Sequence, residues 1–505
     1  MVNYVAFQTT SSDIPQVVLS GGLLKASANI GCVFGQLGFG LLGDVFGRKA
    51  IYGKEMMITI TGTILLIAAP NVGTISGESV FTWITCWRIL MGIGIGGDYP
   101  MSASVVSDRA NLQRRGTLLS FIFAMQGWGN FMGGIVTLIV LSCFKTGLKE
   151  HHNYGQFNAV WRVMFGVILV PCFITLYQRL TLPESTKFKA VEKMRADKEN
   201  NILRADDPKL ALQQGENNYQ NNDDINNTPH DSEVGIEKSS DNSIPNDKEI
   251  QPEVKHDEGD GKEAKLVFKD KLRAFSEFSE YFSDWKHART LFATAMCWLL
   301  LDVTFYGINL NQSIVVDAIG MNDATEPFQH VWDNTKANII ITVAGFLPGY
   351  YVSMFTIEYI GRKWLQFGGF LLEALFLGIV AGDFVDLQSK PAGFVVCFAF
   401  LQFFFNFGAN MTAFVIPAEV FPTRVKGFAH GFSAACGKAG AVAASLGFSK
   451  AKESIGTANV LWIFFGISIA GAALTLLLPE TKGRDADIID LEERRAALAA
   501  SAATL

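Results

Sequence analysis

Apolar blocks long enough to cross a bilayer recur along almost the whole of this chain, and no other feature constrains its fold as much. Eleven can be read, at about 21–42, 56–70, 81–103, 117–142, 160–182, 290–310, 338–356, 364–381, 393–416, 428–448 and 458–478. A span needs roughly 20 mostly apolar residues. Each must be a helix, because a lipid-exposed backbone has to satisfy its own hydrogen bonds. The sequence therefore specifies an all-α polytopic membrane protein. Composition agrees, since 49% of the 505 residues are hydrophobic and 40 are Phe. A soluble chain of this length would instead divide into domains of mixed composition.

One region breaks the series. Residues 199–265 are rich in Asn, Asp, Glu, Lys and Ser and nearly free of aromatics, too polar to offset the entropy of ordering. We expect a cytoplasmic, largely disordered linker over 187–287. It would join an N-terminal membrane half, 1–186, to a C-terminal half, 288–482, with a cytoplasmic tail over 483–505. Its lysines offer attachment sites for ubiquitin, which makes the ubiquitination machinery an expected partner. The formal net charge of −6 says little, because much of the acidity sits in this segment. Nothing suggests a nucleic-acid partner.

The two halves repeat one another. Gly40-Leu-Leu-Gly-Asp44-Val-Phe-Gly-Arg48-Lys49 has a counterpart in Phe355-Thr-Ile-Glu358-Tyr-Ile-Gly361-Arg362-Lys363. Arg114-Arg115-Gly116 is echoed by Arg424-Val-Lys426-Gly427, and Pro183-Glu184 by Pro479-Glu480. The pairs occur in the same order, each at the end of a span, which is a known transporter plan. Two spans precede the second Gly-Arg-Lys loop but only one precedes the first, so by symmetry the first helix is expected to be missing. Residues 1–20 also lack the basic start and apolar centre of a cleavable signal peptide. Short loops carrying Arg48, Lys49, Lys54, Arg109, Arg114, Arg115, Arg362, Lys363, Arg424 and Lys426 fall on one side, which is therefore cytoplasmic. The opposite loops, 70–80 and 317–333, are poor in basic residues, with Lys145 and Lys149 as exceptions.

Ionisable side chains inside apolar helices are costly and mark function. Arg88 and Asp98 share the third span, Trp87-Arg88-Ile-Leu-Met-Gly-Ile-Gly-Ile-Gly-Gly-Asp98-Tyr99-Pro100, whose glycines admit a close neighbour. The sixth carries Trp298, Asp302 and Tyr306 at i, i+4 and i+8, on one helical stripe. Gln126, Asn406, Asn410 and Lys438 interrupt other spans. Gln126 and Asn410 read equally well as hydrogen-bonding glue between helices, and Glu373, with no evident partner, as structural. Asp44, Arg48, Lys49 and Arg362 read as gate or topology residues. A cation with neutral donors suits an oxyanion, whereas carboxylates repel one. The conflict resolves if the anion itself carries protons, as dihydrogen phosphate does and sulfate does not. An aspartate in such a site is a filter for a protonated oxyanion and a natural proton carrier.

These residues carry a resemblance. Gly92-Ile-Gly-Ile-Gly-Gly-Asp98-Tyr99-Pro100, Trp298-Leu-Leu-Leu-Asp302-Val-Thr-Phe-Tyr306, Asn406-Phe-Gly-Ala-Asn410, Pro417-Ala-Glu419 and His430-Gly-Phe-Ser-Ala-Ala-Cys-Gly-Lys438 are similar to motifs of a known family. It is that of the fungal and plant proton-coupled inorganic phosphate symporters of the major facilitator superfamily. The likeness runs from about 24 to 481, the linker excepted. It implies a major facilitator fold of two pseudo-symmetric six-helix halves, here with eleven spans, in the plasma membrane. It further implies phosphate contacts from Tyr99, Gln126, Trp298, Asp302, Tyr306 and Asn410, with Lys438 in or beside the site. Proton handling would fall to Asp98 with Arg88 and Glu55, and to Asp302. Ala409 and Ala418 depart from the family's Pro and Gly.

A glycerophosphodiester symporter, for example for glycerophosphoinositol, and a transport-deficient phosphate receptor are the alternatives. No nucleophile–base pair or phosphate-cradling loop appears, so no enzyme is expected. The seven Cys show no CxxC and no ligand spacing, so neither a metal site, a disulfide framework nor a cofactor is expected.

Overall fold

The computed structural model describes residues 14–70, 77–194, 277–312 and 326–503. Residues 1–188 with 274–505 make one compact unit and 189–273 a second; the architecture below is that of the first. The expected disorder of the linker and its ubiquitin-bearing lysines fall mainly on 195–276, outside the described residues.

Eleven long helices coincide with the eleven apolar blocks. In the first half they are α1 (Ile14–Phe46), α2 (Lys54–Ile67), α3 (Gly77–Arg109), α4 (Arg115–Cys143) and α5 (Phe157–Leu180). The second half has α6 (Trp285–Asn309), α7 (Pro327–Ile360), α8 (Arg362–Gly382), α9 (Ala392–Val420), α10 (Lys426–Ile455) and α11 (Thr457–Thr475). The tail, expected only as a cytoplasmic extension, forms a further helix, α12 (Ala486–Ala503). No strand occurs among the described residues.

Ten of the described helices are apolar and long enough to cross a bilayer, α2 when taken with the preceding turn from Arg48; α10 is not among them. Its sequence is rich in Gly, Ala and Ser and holds a lysine at its centre. The reason is its place in the bundle, against α1 on one side and α6 on the other. A Cβ at Gly431 would sit 2.2 Å from the Gln36 carbonyl, and one at Gly440 2.5 Å from that of Leu299. Small residues let backbones pack at this range, so α10 needs little lipid-facing side chain. The glycine run of α3 works in the same way. Gly92 and Gly96 meet the backbone of α1 at Ala28 and Cys32, while Gly94 turns toward α2 at Glu55.

The repeat aligns α1 to α5 with α7 to α11. The principal contacts between halves are α1 on α10 and α4 on α7, which are one relationship related by the pseudo-two-fold. Gly47 and Gly361 occupy equivalent turns with φ of 88° and 91°, a region open to glycine and strained for other residues. Helix α9 breaks at Phe407 and Gly408, where φ of Gly408 is 109°. The break forms without a proline, Ala409 following Gly408.

Candidate functional site

Asp98 and Tyr99 are consecutive on α3, and successive helical residues point about 100° apart. Tyr99 therefore faces the second half while Asp98 faces the helices of its own. The Tyr99 ring packs on Trp298 of α6 at 6.4 Å and on Phe414 of α9 at 6.3 Å. Lys438 Nζ lies 5.4 Å from the same ring.

Lys438 is buried, and its ammonium donates to Asp302 Oδ2 at 2.8 Å and to the Tyr306 hydroxyl at 2.9 Å. Trp298 and Asp302 are both 1% exposed. The i, i+4, i+8 stripe of α6 is thus turned inward as its spacing requires, and α10 supplies the cation that the stripe lacks.

A second polar group lies on the same aromatic floor. Tyr350 of α7 donates to Gln126 Oε1 of α4 at 3.3 Å, and its hydroxyl accepts from Asn410 Nδ2 at 2.9 Å. Asn410 also donates to Asn406 Oδ1 at 2.9 Å across the break in α9. Phe123 joins the two groups, packing on Tyr99 at 6.4 Å and Tyr350 at 5.9 Å. The structure therefore brings together all seven residues expected at the substrate site: Tyr99, Gln126, Trp298, Asp302, Tyr306, Asn410 and Lys438.

Tyr350 escaped the sequence reading because an aromatic in an apolar span is ordinarily packing or interface belt. Its signal was positional, since α7 is the counterpart of α1 in the repeat and both line the junction of the halves.

The expected proton residues separate. Asp98 and Glu55 meet at Arg179 of α5, which ion-pairs with Asp98 and lies 3.1 Å from Glu55 Oε1. Ser102 donates to Asp98 at 2.7 Å, and the Gly53 amide donates to Glu55 at 2.8 Å. The Arg179 guanidinium rests 4.9 Å from the Tyr52 ring centroid. Arg88 lies elsewhere. It is ten residues from Asp98 along α3, about 15 Å at 1.5 Å per residue, and donates to Ser27 of α1 at 3.1 Å. The cation beside Asp98 is thus Arg179, which sequence reasoning missed because it sits at the end of a span, where basic residues usually only set topology.

At the helix ends that carry the Gly-Arg-Lys motifs, the motif residues form two matched networks. Arg48 reaches Asp44 at 3.5 Å, Asp108 at 2.5 Å and the Thr423 carbonyl at 3.0 Å. Asp44 accepts the amides of Gly427 and Phe428 at the start of α10, at 3.0 and 2.8 Å, where the helix dipole favours an anion. Lys426 completes this set at 3.0 Å from Asp108. In the mirror set Arg362 reaches Glu358 at 2.6 Å and Glu419 at 2.8 Å, and Arg115 reaches Glu419 at 3.3 Å. Glu358 accepts the Thr117 amide at the start of α4 at 3.1 Å. Lys49 takes part through its backbone, donating to Glu184 at 2.8 Å; its side chain is exposed. Each network crosses from one half to the other and ties the two halves together on this side.

The profile of the family described as Sugar (and other) transporter matches residues 2–234 and 231–492. The inorganic phosphate transporter PHO84 of Saccharomyces cerevisiae is 34% identical, over 93% of this chain and 76% of its own length. The repressible high-affinity phosphate permease of Neurospora crassa is 32% identical, over 91% and 76%. Among solved structures, the proton:xylose symporter XylE superposes with a TM-score of 0.64 at 18% identity, covering 96% of this chain and 92% of that one. That likeness concerns the fold.

Proposed function

Because this chain belongs to the sugar (and other) transporter family, and within it to the inorganic phosphate transporters, we propose that it imports inorganic phosphate together with protons across the plasma membrane by alternating access. The observation that carries the reading is the Lys438–Asp302–Tyr306 group, buried at the junction of the halves beneath Tyr99.

Phosphate can take over the Lys438 ammonium only by displacing or sharing it with Asp302. A fully ionised oxyanion would meet the Asp302 carboxylate as a like charge, at a cost of about 4 kcal/mol at 4 Å in a surface-like dielectric. A protonated phosphate instead donates to that carboxylate while its other oxygens accept from Lys438, Tyr306, Tyr99 and the Trp298 indole. Gln126, Tyr350 and Asn410 offer further neutral donors within the same ring of side chains. The arrangement selects charge and protonation together.

Proton movement is assigned to Asp98 and Glu55, which share one guanidinium. One cation beside two carboxylates lets one of them take a proton without leaving the other unpaired, so Arg179 serves as the common counter-ion. Asp98 and Tyr99 are neighbours in sequence, which gives a short mechanical path between proton and substrate sites. Arg88 would act from the outer side of α3.

Alternation follows from the paired networks at the cytoplasmic ends. With both engaged, as here, exit toward the cytoplasm is blocked, and import requires Asp44 and Glu358 to release the starts of α10 and α4. The testing experiment is uptake of labelled phosphate by the full chain in a host lacking phosphate transporters, as a function of external pH. Sulfate and glycerophosphoinositol are the competitors. The reading expects uptake that rises with acidity and resists both. Uptake blocked by glycerophosphoinositol would move the cargo to phosphodiesters, and expression at the membrane with no uptake would make the chain a receptor.

A further inference from the structure

Glu373 of α8 is fully buried and belongs to neither site described above. Its Oε1 lies 2.8 Å from Thr304 Oγ1 of α6 and 2.6 Å from Ser468 Oγ of α11. Its Oε2 has no hydrogen-bond partner, and no cation pairs with it among the described residues. Thr304 is two residues from both Asp302 and Tyr306, hence about 200° around α6 from each. Helix α6 therefore turns its substrate stripe to one side and is held from behind by Glu373.

Several ionisable groups on the elements packed against α8 are engaged elsewhere. Cys297, two turns along α6, contacts Gly471 and Thr475. Asp302 and Tyr306 face Lys438. Tyr350 of α7 bonds with Gln126 and Asn410, and Glu419 of α9 is held by Arg115 and Arg362 at the cytoplasmic end. Helix α11 has no ionisable residue.

A carboxylate buried without a cation is far costlier than the neutral acid, and a group so placed keeps its proton. Hydrogen-bond arithmetic allows this. Thr304 and Ser468 each have a second acceptor in their own helix, the carbonyls of Leu301 at 2.9 Å and Phe464 at 3.0 Å. A hydroxyl whose proton goes to that carbonyl still has a lone pair for the carboxyl proton.

We propose that Glu373 is a second proton-carrying group of this transporter. It is loaded while the cytoplasmic side is closed. It is emptied when α6 draws away from α8 and α11 and water reaches the carboxyl; the proton passes to that water and leaves a hydrated carboxylate to be reloaded from outside. Holding the back of the substrate helix, Glu373 makes its own release depend on the movement that frees phosphate. The inference rests on proton-coupled import as proposed above.

The test is phosphate accumulation by the purified full chain in proteoliposomes under imposed pH gradients. Each coupled proton multiplies the accumulation limit by about ten per pH unit of gradient. Glu373→Gln keeps the neutral hydrogen bonds but cannot titrate, and should lower that limit about tenfold at a gradient of one unit. Glu373→Asp should retain the native limit. An unchanged limit in Glu373→Gln overturns the proposal. A native protein indifferent to the gradient overturns the coupling reading itself. Should the Gln variant fail to fold, infrared spectra of the native protein and Glu373→Asp decide. A protonated-carboxyl band at neutral pH that moves in the Asp variant supports the proposal, and its absence sinks it.

Discussion

Lys438 Nζ stands between Asp302 Oδ2 at 2.8 Å and the Tyr306 hydroxyl at 2.9 Å, with the Tyr99 ring centroid of the opposite half at 5.4 Å. One buried cation thus pairs with Asp302 of α6 in the second half while lying against Tyr99, on the helix of the first that carries Asp98. Charge at the centre and contact between halves depend on the same side chain.

Removing one partner of such a pair leaves a buried charge uncompensated, at about 3–5 kcal/mol. Asp302→Asn should therefore both abolish phosphate uptake and lower the melting temperature of the purified protein. The double variant Asp302→Asn with Lys438→Met should recover most of the melting temperature and none of the uptake. Normal uptake by Asp302→Asn, with unchanged pH dependence, would remove Asp302 from the mechanism.

Arg179 offers a second test. Arg179 is the cation that Asp98 and Glu55 share, and removing one member of such a group leaves charge uncompensated. In Arg179→Gln the two carboxylates lose the cation they share, so the alkaline limb of the uptake–pH profile should shift. Arg179→Lys, with the charge kept, should move it less. An unmoved limb in Arg179→Gln would reduce Arg179 to a structural tie between α2, α3 and α5.

The spans, the repeat and the inward-facing polar stripe of α6 were legible because each rests on a local pattern. Apolar length marks a helix, and i, i+4, i+8 spacing puts Trp298, Asp302 and Tyr306 on one stripe. Lys438 declared itself as a charge among small apolar residues. Tyr350 and Arg179 were not legible, because their roles depend on which helices cross beside them. Arg88 looked like the natural partner of Asp98 through sharing its span, yet ten residues of helix hold the two apart. Glu373 had no evident partner in sequence, and in the structure its partners are hydroxyls. Asp108 and Glu419 were similarly hidden, each lying near the end of its helix, where the networks bring Arg48 and Arg362 against them.

Those networks predict a change in exchange protection. Hydrogen bonds to charged groups are worth about 1.5–3 kcal/mol, and Asp44 and Glu358 hold the first amides of α10 and α4 only while Arg48 and Arg362 keep them in place. In Arg48→Ala, amide hydrogen exchange of residues 427–428 should accelerate roughly tenfold or more. Arg362→Ala should do the same at Thr117. The effect should cross between halves, each arginine protecting a helix of the other one. Acceleration confined to the mutated half would separate the two networks and refute a shared clamp.

The last prediction concerns the tail helix α12, which lies outside the membrane spans. Asp487 accepts the Thr423 amide at 2.6 Å and the Thr423 hydroxyl at 2.9 Å, and lies 3.2 Å from Lys187 Nζ. Burial pushes its carboxyl up, but Lys426, the Thr423 amide and Lys187 together outweigh that and hold it below the usual aspartate value. A depressed folded-state value means that the attachment is fully present above the ordinary aspartate range, about pH 3.9, and is lost as pH falls through the lower folded value. Asp487→Asn preserves shape and removes the charge. At neutral pH it should free the start of α12, read as faster proteolysis and faster amide exchange over 486–490. Native and variant should converge as the pH falls below the aspartate range, because the native carboxyl is then neutral as well. The next turns of α12, from Asp490 to Glu493, should stay attached in both at neutral pH, since Asp490 holds Arg424 at 2.8 Å and Glu493 holds Lys286 at 2.5 Å. If Asp487→Asn is as protected as the native helix at neutral pH, those two pairs alone fasten the tail, and Asp487 serves only to cap the Thr423 turn.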